Sequence, residues 1–180
     1  MAKVCMVMAD GFEEIEAVTI VDVLRRAGIE VTVLGLTGRR VMGAHRIPLE
    51  ADGVLAEAPE VPWDLVVLPG GMPNAATLRD SEPLRAFLGA QASRGGRIGA
   101  ICAAPIALGA AGLLEGKQAT CYPGFEEGLL GASPSAERVV RDGSVLTSRG
   151  PGTAMEFALA LVEELAGAET ARRLEGQMLV

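Results

Sequence analysis

The sequence predicts an α/β protein built on a mostly parallel β-sheet with helices on both faces. Apolar runs of strand length alternate with longer segments whose apolar residues recur at helical spacing. These runs are apolar throughout, which is typical of parallel strands covered on both faces. The length of 180 residues fits one domain, so we expect a single domain over residues 1–180.

Composition and charge narrow the classes of function. The net charge of −7 provides no basic stripe, so specific nucleic-acid binding is not expected. Cys5, Cys102 and Cys121 are an odd number at wide spacing, which favours free thiols over a disulfide framework or a zinc site. The apolar run 4–9 is too short for a membrane span or a signal peptide. We therefore expect a cytoplasmic protein that does not enter a membrane.

Three apolar runs in the first half of the chain are predicted strands: residues 3–8, 30–36 and 64–68. A helix over residues 13–27, ended by Gly28, connects the first two strands. Residues 38–62 are predicted to be irregular, with room for a short hairpin.

The second half begins with a predicted helix that follows Ser81. Ser81 is a favourable N-cap and Pro83 suits the first turn of this helix. A strand over residues 97–101 then runs directly into a helix over residues 103–111.

The last part of the chain predicts a hairpin and a final helix. Residues 137–141 and 144–148 flank Asp142-Gly143, a strong hairpin signal. The helix is predicted to open with a capping box formed by Thr153 and Glu156. Its apolar residues recur at helical spacing: Ala154, Phe157, Ala158, Leu161, Val162 and Leu165.

Cys102 is the first candidate functional residue. Ligands of open parallel sheets bind at the carboxyl ends of the strands, and Cys102 directly follows the strand 97–101. A strand, a cysteine and a helix in immediate succession have the layout of a nucleophile elbow. A helix N-terminus favours the thiolate, which predicts a lowered pKa for this thiol. The alternative is a small, inert residue of the core.

Two further groups follow the ends of predicted strands. The backbone N–H groups of Gly70 and Gly71 are able to form an oxyanion hole, although paired glycines more commonly make a tight turn. Glu13 and Glu14 fit the first turn of a helix simply by complementing its dipole. Glu16 differs because an apolar stretch follows it, so its carboxyl is a candidate for burial, protonation and hydrogen bonding to a thiolate.

The single histidine, His45, lies in the irregular region and before Cys102 in the sequence. We expect it to be a surface loop residue rather than a catalytic base. A Cys-His-Glu amidotransferase needs its histidine far downstream of the cysteine, and one histidine does not provide a His-rich metal site. No metal is therefore expected.

Four sequence blocks together resemble the ThiJ/PfpI superfamily, and its DJ-one branch most closely. In chain order they read EEIEAVTIVDVLRRAGIEVTV, VVLPGG, AICAAP and LTSRGPGTAMEFALALVE. The resemblance covers nearly the whole chain. It implies a flavodoxin-like three-layer sandwich, usually a homodimer, and an activity that needs no cofactor.

The resemblance also implies roles for individual residues. Cys102 would be the nucleophile, with a protonated Glu16 hydrogen-bonded to it. The N–H groups of Gly71 and Ala103 would face a bound oxyanion. The implied activity is detoxification of the 2-oxoaldehydes methylglyoxal and glyoxal, of the glyoxalase III or protein deglycase type, with small aldehydes or glycated protein side chains as partners. The alternative is a peroxide-responsive redox sensor or chaperone that acts through oxidation of Cys102.

The chain departs from the pattern of this superfamily at two positions. Ala103 stands where protease-type relatives have histidine, so peptidase activity is not expected. Tyr122 stands in a segment where some DJ-one relatives have histidine, and it can donate a hydrogen bond to a substrate but cannot act as a base near neutral pH. Cys121, beside it, is either a second redox-active thiol or a strand residue. Cys5 is expected to be structural.

Overall fold

The computed structural model describes residues 1–59 and 61–180. The strands are β1 (Lys3–Met8), β2 (Glu30–Gly35), β3 (Arg40–Met42), β4 (Pro48–Glu50), β5 (Gly53–Val54), β6 (Leu65–Leu68), β7 (Arg97–Ile101), β8 (Gln118–Ala119), β9 (Ser133–Pro134), β10 (Val139–Asp142) and β11 (Val145–Ser148). The helices are α1 (Glu14–Arg26), α2 (Asn74–Asp80), α3 (Glu82–Ser93), α4 (Pro105–Ala110), α5 (Ala154–Ala166) and α6 (Ala168–Met178).

A central sheet organises the fold. Its strand order over the described residues is β10-β11-β7-β6-β1-β2-β5, and each neighbouring pair is parallel except the β10–β11 hairpin. The chain builds outward from β1 through β2 to β5, and then returns to the other side of β1 to place β6. The order therefore reverses between β1 and β6, and such a switch point is where open α/β sheets bind ligands.

Helices cover both faces of this sheet. Side chains of β1 alternate between two apolar clusters: Met6 packs with the cluster that contains residues of α1 and α5, and Val7 with the cluster that contains residues of α3 and α4. This alternation follows from the two-residue period of a strand. The predicted α/β class and three-layer sandwich are thus confirmed.

Several local predictions are confirmed and refined. Ser81 caps α3, because its side chain accepts a hydrogen bond from the Leu84 amide at 3.2 Å. The Asp142-Gly143 signal marks the antiparallel pair β10–β11. The segment 38–62 contains the hairpin β3–β4, while β5 adds a short parallel strand at the edge of the sheet; residue 60 of this segment lies outside the described residues.

Two helices were not predicted from the sequence. The helix α2 spans seven residues, too few for an apolar period to be recognised. The helix α6 follows α5 after Gly167, which has a φ of +86°, and it buries only Ala171 and Leu174. So narrow an apolar stripe gives a weak periodic signal. None of the described helices is long and apolar enough to cross a membrane.

The predicted capping box at Thr153 is wrong. The Thr153 hydroxyl lies 2.7 Å from the Ser148 hydroxyl and accepts a hydrogen bond from the Gly150 amide at 3.1 Å, so it is not available to cap α5. Glu156 instead pairs with Arg138 at 2.7 Å. The threonine closes a tight turn that joins β11 to α5, and this turn competes with the capping geometry.

Candidate active site

Three loops meet at the carboxyl edge of the sheet, after β1, β6 and β7. The loops after β1 and β6 are in direct contact, because the Glu13 amide donates a hydrogen bond to the Gly70 carbonyl at 2.9 Å. Gly71 has a φ of +89°, and a Cβ atom there would lie 2.3 Å from the Gly11 carbonyl oxygen. Glycine at position 71 is therefore required both by its backbone conformation and by the close approach of the two loops.

Cys102 follows β7 in a strained conformation. Its φ is +64°, in the left-handed region that residues other than glycine rarely adopt. The backbone is held on both sides: the Cys102 amide donates to the Ser148 carbonyl at 2.9 Å, and its carbonyl accepts from the Tyr122 amide at 2.8 Å. A strained residue at a sharp turn between a strand and a helix is the geometry of a nucleophile elbow.

Glu16 lies in the first turns of α1 and is completely buried. Its Oε2 atom accepts a hydrogen bond from the Gly70 amide at 2.7 Å. A Cβ atom on Gly70 would lie 2.5 Å from Cys102 Cβ and 2.8 Å from Glu16 Oε2. The absence of a side chain at Gly70 therefore allows the carboxyl and the cysteine to approach each other. Glu16 Oε1 is buried without a hydrogen-bond partner among the described residues, and it is the oxygen left for the thiol.

Burial changes the proton affinities of both groups. It raises the pKa of Glu16 to about 7, although the hydrogen bond from the Gly70 amide opposes this shift. Burial, followed by the negative charge of Glu16, raises the pKa of Cys102 to about 12, and the amides of Gly71 and Ala103 oppose it. Between these two values the pair holds one proton.

The prediction of a lowered thiol pKa is therefore wrong in direction. It rested on a helix N-terminus at the cysteine, but α4 begins only at Pro105, three residues further along the chain. Only 8% of Cys102 is exposed, so the loss of hydration outweighs the favourable backbone amides. Activation of this thiol would therefore depend on a neighbouring proton acceptor, and Glu16 is the carboxyl beside it.

The backbone amides near Cys102 have two different roles. The N–H groups of Gly71 and Ala103 face Cys102, where they favour negative charge. The Gly70 N–H is already used by Glu16, so it is not free to bind an oxyanion. Gly70 thus anchors the carboxyl and permits close packing, and the structure brings Gly71 and Ala103 together as the amide pair beside the sulfur.

Tyr122 contacts the site through its backbone. The residue is 46% exposed, and its ring is edge-on to that of Phe125, with ring centres 6.4 Å apart. The ring also lies against Gly150, where a Cβ atom would be 3.0 Å from it. Cys121 and Cys5 pack in the apolar cluster that contains residues of α3 and α4, whereas Cys102 belongs to the other cluster. Cys5 lies within β1, and Cys121 follows β8 rather than lying in a strand.

His45 is exposed, as expected, but it has a defined partner. The buried carboxylate of Glu14 accepts hydrogen bonds from the His45 amide at 2.6 Å and from the Ile47 amide at 3.4 Å, and it lies 2.8 Å from His45 Nδ1. Together with Glu13 these side chains place three possible metal-ligand atoms within 4.8 Å of one another. Both Glu14 oxygens are engaged by the turn of the hairpin β3–β4, so the cluster docks this hairpin onto α1.

Asn74 is a site residue that the sequence analysis missed. It is completely buried at the start of α2, and its side chain hydrogen-bonds the backbone at the ends of both β1 and β6. The signal was a polar residue three positions after Gly71 in an otherwise apolar stretch, which is too common a pattern to stand out.

Sequence comparison supplies the family. The DJ-1/PfpI family profile matches residues 2–164. The chain is 42% identical to the Parkinson disease protein 7 homolog of Danio rerio over 99% of this chain and 97% of that protein. It is 35% identical to the glutathione-independent glyoxalase DJR-1.2 of Caenorhabditis elegans over 90% and 87% of the two chains. The resemblance inferred from the four sequence blocks is confirmed.

Further comparisons agree on the fold. The crystal structure of Drosophila melanogaster DJ-1beta superposes with a TM-score of 0.94 at 41% identity, covering 99% of this chain and 98% of that one. The chain is also 44% identical to protein DJ-1 homolog B of Arabidopsis thaliana, over 99% of this chain. It spans only 41% of the length of that relative.

We predict that Glu16→Gln changes the pH profile of Cys102 alkylation. In the wild type the rate should show an inflection near pH 7, where the pair loses its first proton. Glutamine does not titrate, so the variant should lack this inflection and show a single transition below pH 12, because the neighbouring negative charge is gone. Mass spectrometry of iodoacetamide-treated protein measures both profiles, with Cys121 as the internal control. Superimposable profiles for the two proteins would show that the groups do not interact.

Proposed function

The chain belongs to the DJ-1/PfpI family, and we propose on that basis that it detoxifies 2-oxoaldehydes such as methylglyoxal and glyoxal without a cofactor. The observation that best supports this proposal is the position of the strained Cys102, which lies beside the buried carboxyl of Glu16 and the amides of Gly71 and Ala103. A relative that is 35% identical is named a glutathione-independent glyoxalase, which supports this activity class.

The first step is addition of the thiol to the aldehyde carbon. The sulfur of Cys102 forms a bond to this carbon while the C=O π bond breaks, and the thiol proton passes to Glu16. The developing oxyanion lies between the amides of Gly71 and Ala103. Glu16 is suited to accept the proton because burial raises its pKa to about 7, close to neutral pH.

The second step moves hydrogen within the bound substrate. Glu16 first gives the thiol proton to the oxyanion, which forms the neutral hemithioacetal and leaves Glu16 as a carboxylate. The carboxylate then accepts the proton from the former aldehyde carbon and delivers it to the neighbouring carbon, while the hydroxyl proton moves from the first oxygen to the second, so the first carbon is oxidised as the second is reduced. This converts the hemithioacetal into a thioester of the hydroxy acid. Water then cleaves the thioester, which releases lactate from methylglyoxal and restores the thiol. No external oxidant or reductant is consumed.

The low solvent exposure of Cys102 favours small substrates. Only 8% of the residue is exposed, so a free aldehyde of a few atoms reaches the sulfur more easily than an adduct on a protein side chain. Deglycation proceeds through the same attack if the adduct carbon reaches the sulfur, with the side-chain amine or thiol as the leaving group. We therefore place free 2-oxoaldehydes before glycated proteins as substrates.

A second candidate function is redox sensing through Cys102. The amides of Gly71 and Ala103, which face the sulfur, would equally hold the anion of an oxidised cysteine. A chaperone activity that depends on this oxidation is a further form of the same proposal. We also propose a cytoplasmic location, which the three free thiols support.

We propose that the chain forms a homodimer through α1. Ile15 and Val18 on this helix are 57% and 48% exposed, which leaves an apolar stripe facing solvent. A cavity of about 290 Å³ beside this stripe is lined by Val18, Val21 and Leu49. A second copy of the chain would cover both features.

Cys102→Ser should abolish conversion of methylglyoxal to lactate, with a loss of at least about 10³-fold, because the hydroxyl is a much weaker nucleophile. Lactate release measured by NMR tests this. Cys121→Ser is the matched control, since that buried thiol packs in the other apolar cluster, and it should retain wild-type activity. Full activity in Cys102→Ser would refute the proposed mechanism.

Mild peroxide should add two oxygen atoms selectively to Cys102. Cys5 and Cys121 are buried in the apolar cluster that contains residues of α3 and α4. Burial alone raises the pKa of Cys5, and Cys121 is faced by one backbone amide, that of Phe125, rather than by a pair. Peptide mass spectrometry after graded peroxide exposure measures the three sites in one sample. Equal oxidation of all three cysteines would count against a sensing role.

Val18→Glu should convert the dimer into a monomer in analytical ultracentrifugation, because it buries a charge in the proposed interface. Leu130→Glu is the control: Leu130 is 59% exposed and does not lie on α1, so its replacement should leave the dimer intact. A wild-type protein that sediments as a monomer would contradict this assignment.

A further inference from the structure

We propose that Asn74 is a positioning residue that aims two successive backbone amides, those of Gly70 and Gly71, at Glu16 and Cys102. The inference deepens the proposed function, since it concerns the same site. It rests on the hydrogen bonds of one buried side chain and on the planarity of the peptide bond.

The side chain of Asn74 is completely buried and uses both of its amide hydrogens. Asn74 Nδ2 donates to the Pro69 carbonyl at 2.7 Å and to the Gly70 carbonyl at 2.9 Å. Its Oδ1 atom accepts from the Ala9 amide at 2.7 Å. One side chain therefore ties the end of β6 to the end of β1, across the point where the strand order reverses.

Each of the two carbonyls belongs to a peptide whose N–H group serves the site. In a trans peptide the C=O and the following N–H lie in one plane and point in opposite directions. The Pro69 carbonyl is held by Asn74, so the Gly70 N–H points away from it and onto Glu16 Oε2, at 2.7 Å. Because the peptide is planar, the hydrogen bond that holds the Pro69 C=O group also fixes the direction of the Gly70 N–H group.

The next peptide follows the same rule. The Gly70 carbonyl accepts from Asn74 Nδ2 and from the Glu13 amide, both at 2.9 Å. The Gly71 N–H is thereby held on the opposite side, where it faces Cys102 and lowers the pKa of the thiol. Rotation of this peptide would break both hydrogen bonds and turn the N–H away from the sulfur.

The need for such a constraint comes from the glycines themselves. Gly70 has to lack a side chain because a Cβ atom would collide with Cys102, and Gly71 has a φ of +89°. Two adjacent glycines are the most flexible pair that a chain can contain, so their backbone does not hold a peptide orientation by itself. The side chain of Asn74, at the start of α2, holds the two peptides in the orientation that the glycine pair does not hold by itself.

A second buried amide provides the matched control. Gln91 on α3 is also completely buried, and its Nε2 atom donates to the carbonyls of Trp63 and Arg97 at 3.0 and 3.1 Å. These carbonyls lie at the start of β6 and β7, at the edge of the sheet opposite to Cys102. Replacing Gln91 therefore removes two hydrogen bonds from a buried side chain to backbone carbonyls at the opposite edge of the sheet from Cys102.

The test compares Asn74→Ala with Gln91→Ala in the pH profile of Cys102 alkylation. Loss of the Gly70 and Gly71 hydrogen bonds should raise the pKa of both Glu16 and Cys102, since both bonds lower them in the wild type. We expect the alkylation rate at pH 7 to fall about tenfold, which corresponds to one pKa unit. Gln91→Ala should keep the wild-type pH profile, even if it lowers the melting temperature as much as Asn74→Ala does.

Steady-state kinetics with methylglyoxal gives the second readout. Asn74→Ala should lower kcat by about 10²-fold, the usual effect of losing one oxyanion donor, with little change in KM. If Asn74→Ala does not fold, Asn74→Asp keeps the shape and the acceptor for the Ala9 amide, and its ionised carboxylate donates to neither carbonyl. In the alkylation profile of Asn74→Asp, the inflection that lies near pH 7 in the wild type should move to higher pH, as in Asn74→Ala.

The outcomes separate this inference from the proposed function. Alkylation involves no aldehyde, so a shifted profile in Asn74→Ala supports the positioning role even if the wild type converts no methylglyoxal. Wild-type profiles in Asn74→Ala and Asn74→Asp would overturn the positioning role, whatever the aldehyde activity. An equal shift in Gln91→Ala would also overturn it, because it would reduce the effect to general destabilisation.

Discussion

The close approach of Cys102 to the buried carboxyl of Glu16 across Gly70 is the contact on which the site depends. Burying a carboxyl is costly unless it stays neutral or finds donors, and among the described residues Glu16 has one backbone donor, the Gly70 amide. A negative charge on either group opposes a charge on the other, so between the two pKa values, about 7 and about 12, the pair retains one proton. This shared proton gives one small site both an acid and a base.

The topology of the sheet explains why these groups meet. Chain segments leave β1 and β6 in opposite directions, which opens a crevice at the ends of these neighbouring strands. The helix α1 brings Glu16 to this crevice from one side, and β7 delivers Cys102 from the other. The hairpin β3–β4 then docks on Glu14 and fixes the start of α1. The site is thus assembled from elements that are distant in sequence but adjacent in the sheet.

The sequence predicted the parts of the site that follow from local pattern. Cys102 and the paired glycines stand directly after apolar runs, and Glu16 precedes an apolar stretch, so strand ends and burial could be inferred. The direction of the thiol pKa could not, because it depends on how deeply the residue is buried and on the distance to a carboxyl 86 positions away. The role of Asn74 also depends on contacts 65 positions apart, which no local spacing encodes.

The shared proton also separates the two candidate functions chemically. Aldehyde conversion needs Glu16 twice, to accept a proton from carbon and to return one, so it requires a carboxyl whose pKa lies near neutral pH, as burial provides here. Oxidation of the sulfur needs only the thiolate and the amides that hold the resulting anion. A buried, titrating carboxyl beside the thiol would be an unnecessary cost for a site that only senses peroxide. The presence of Glu16 at this position therefore supports the proposal of aldehyde conversion over the proposal of redox sensing alone.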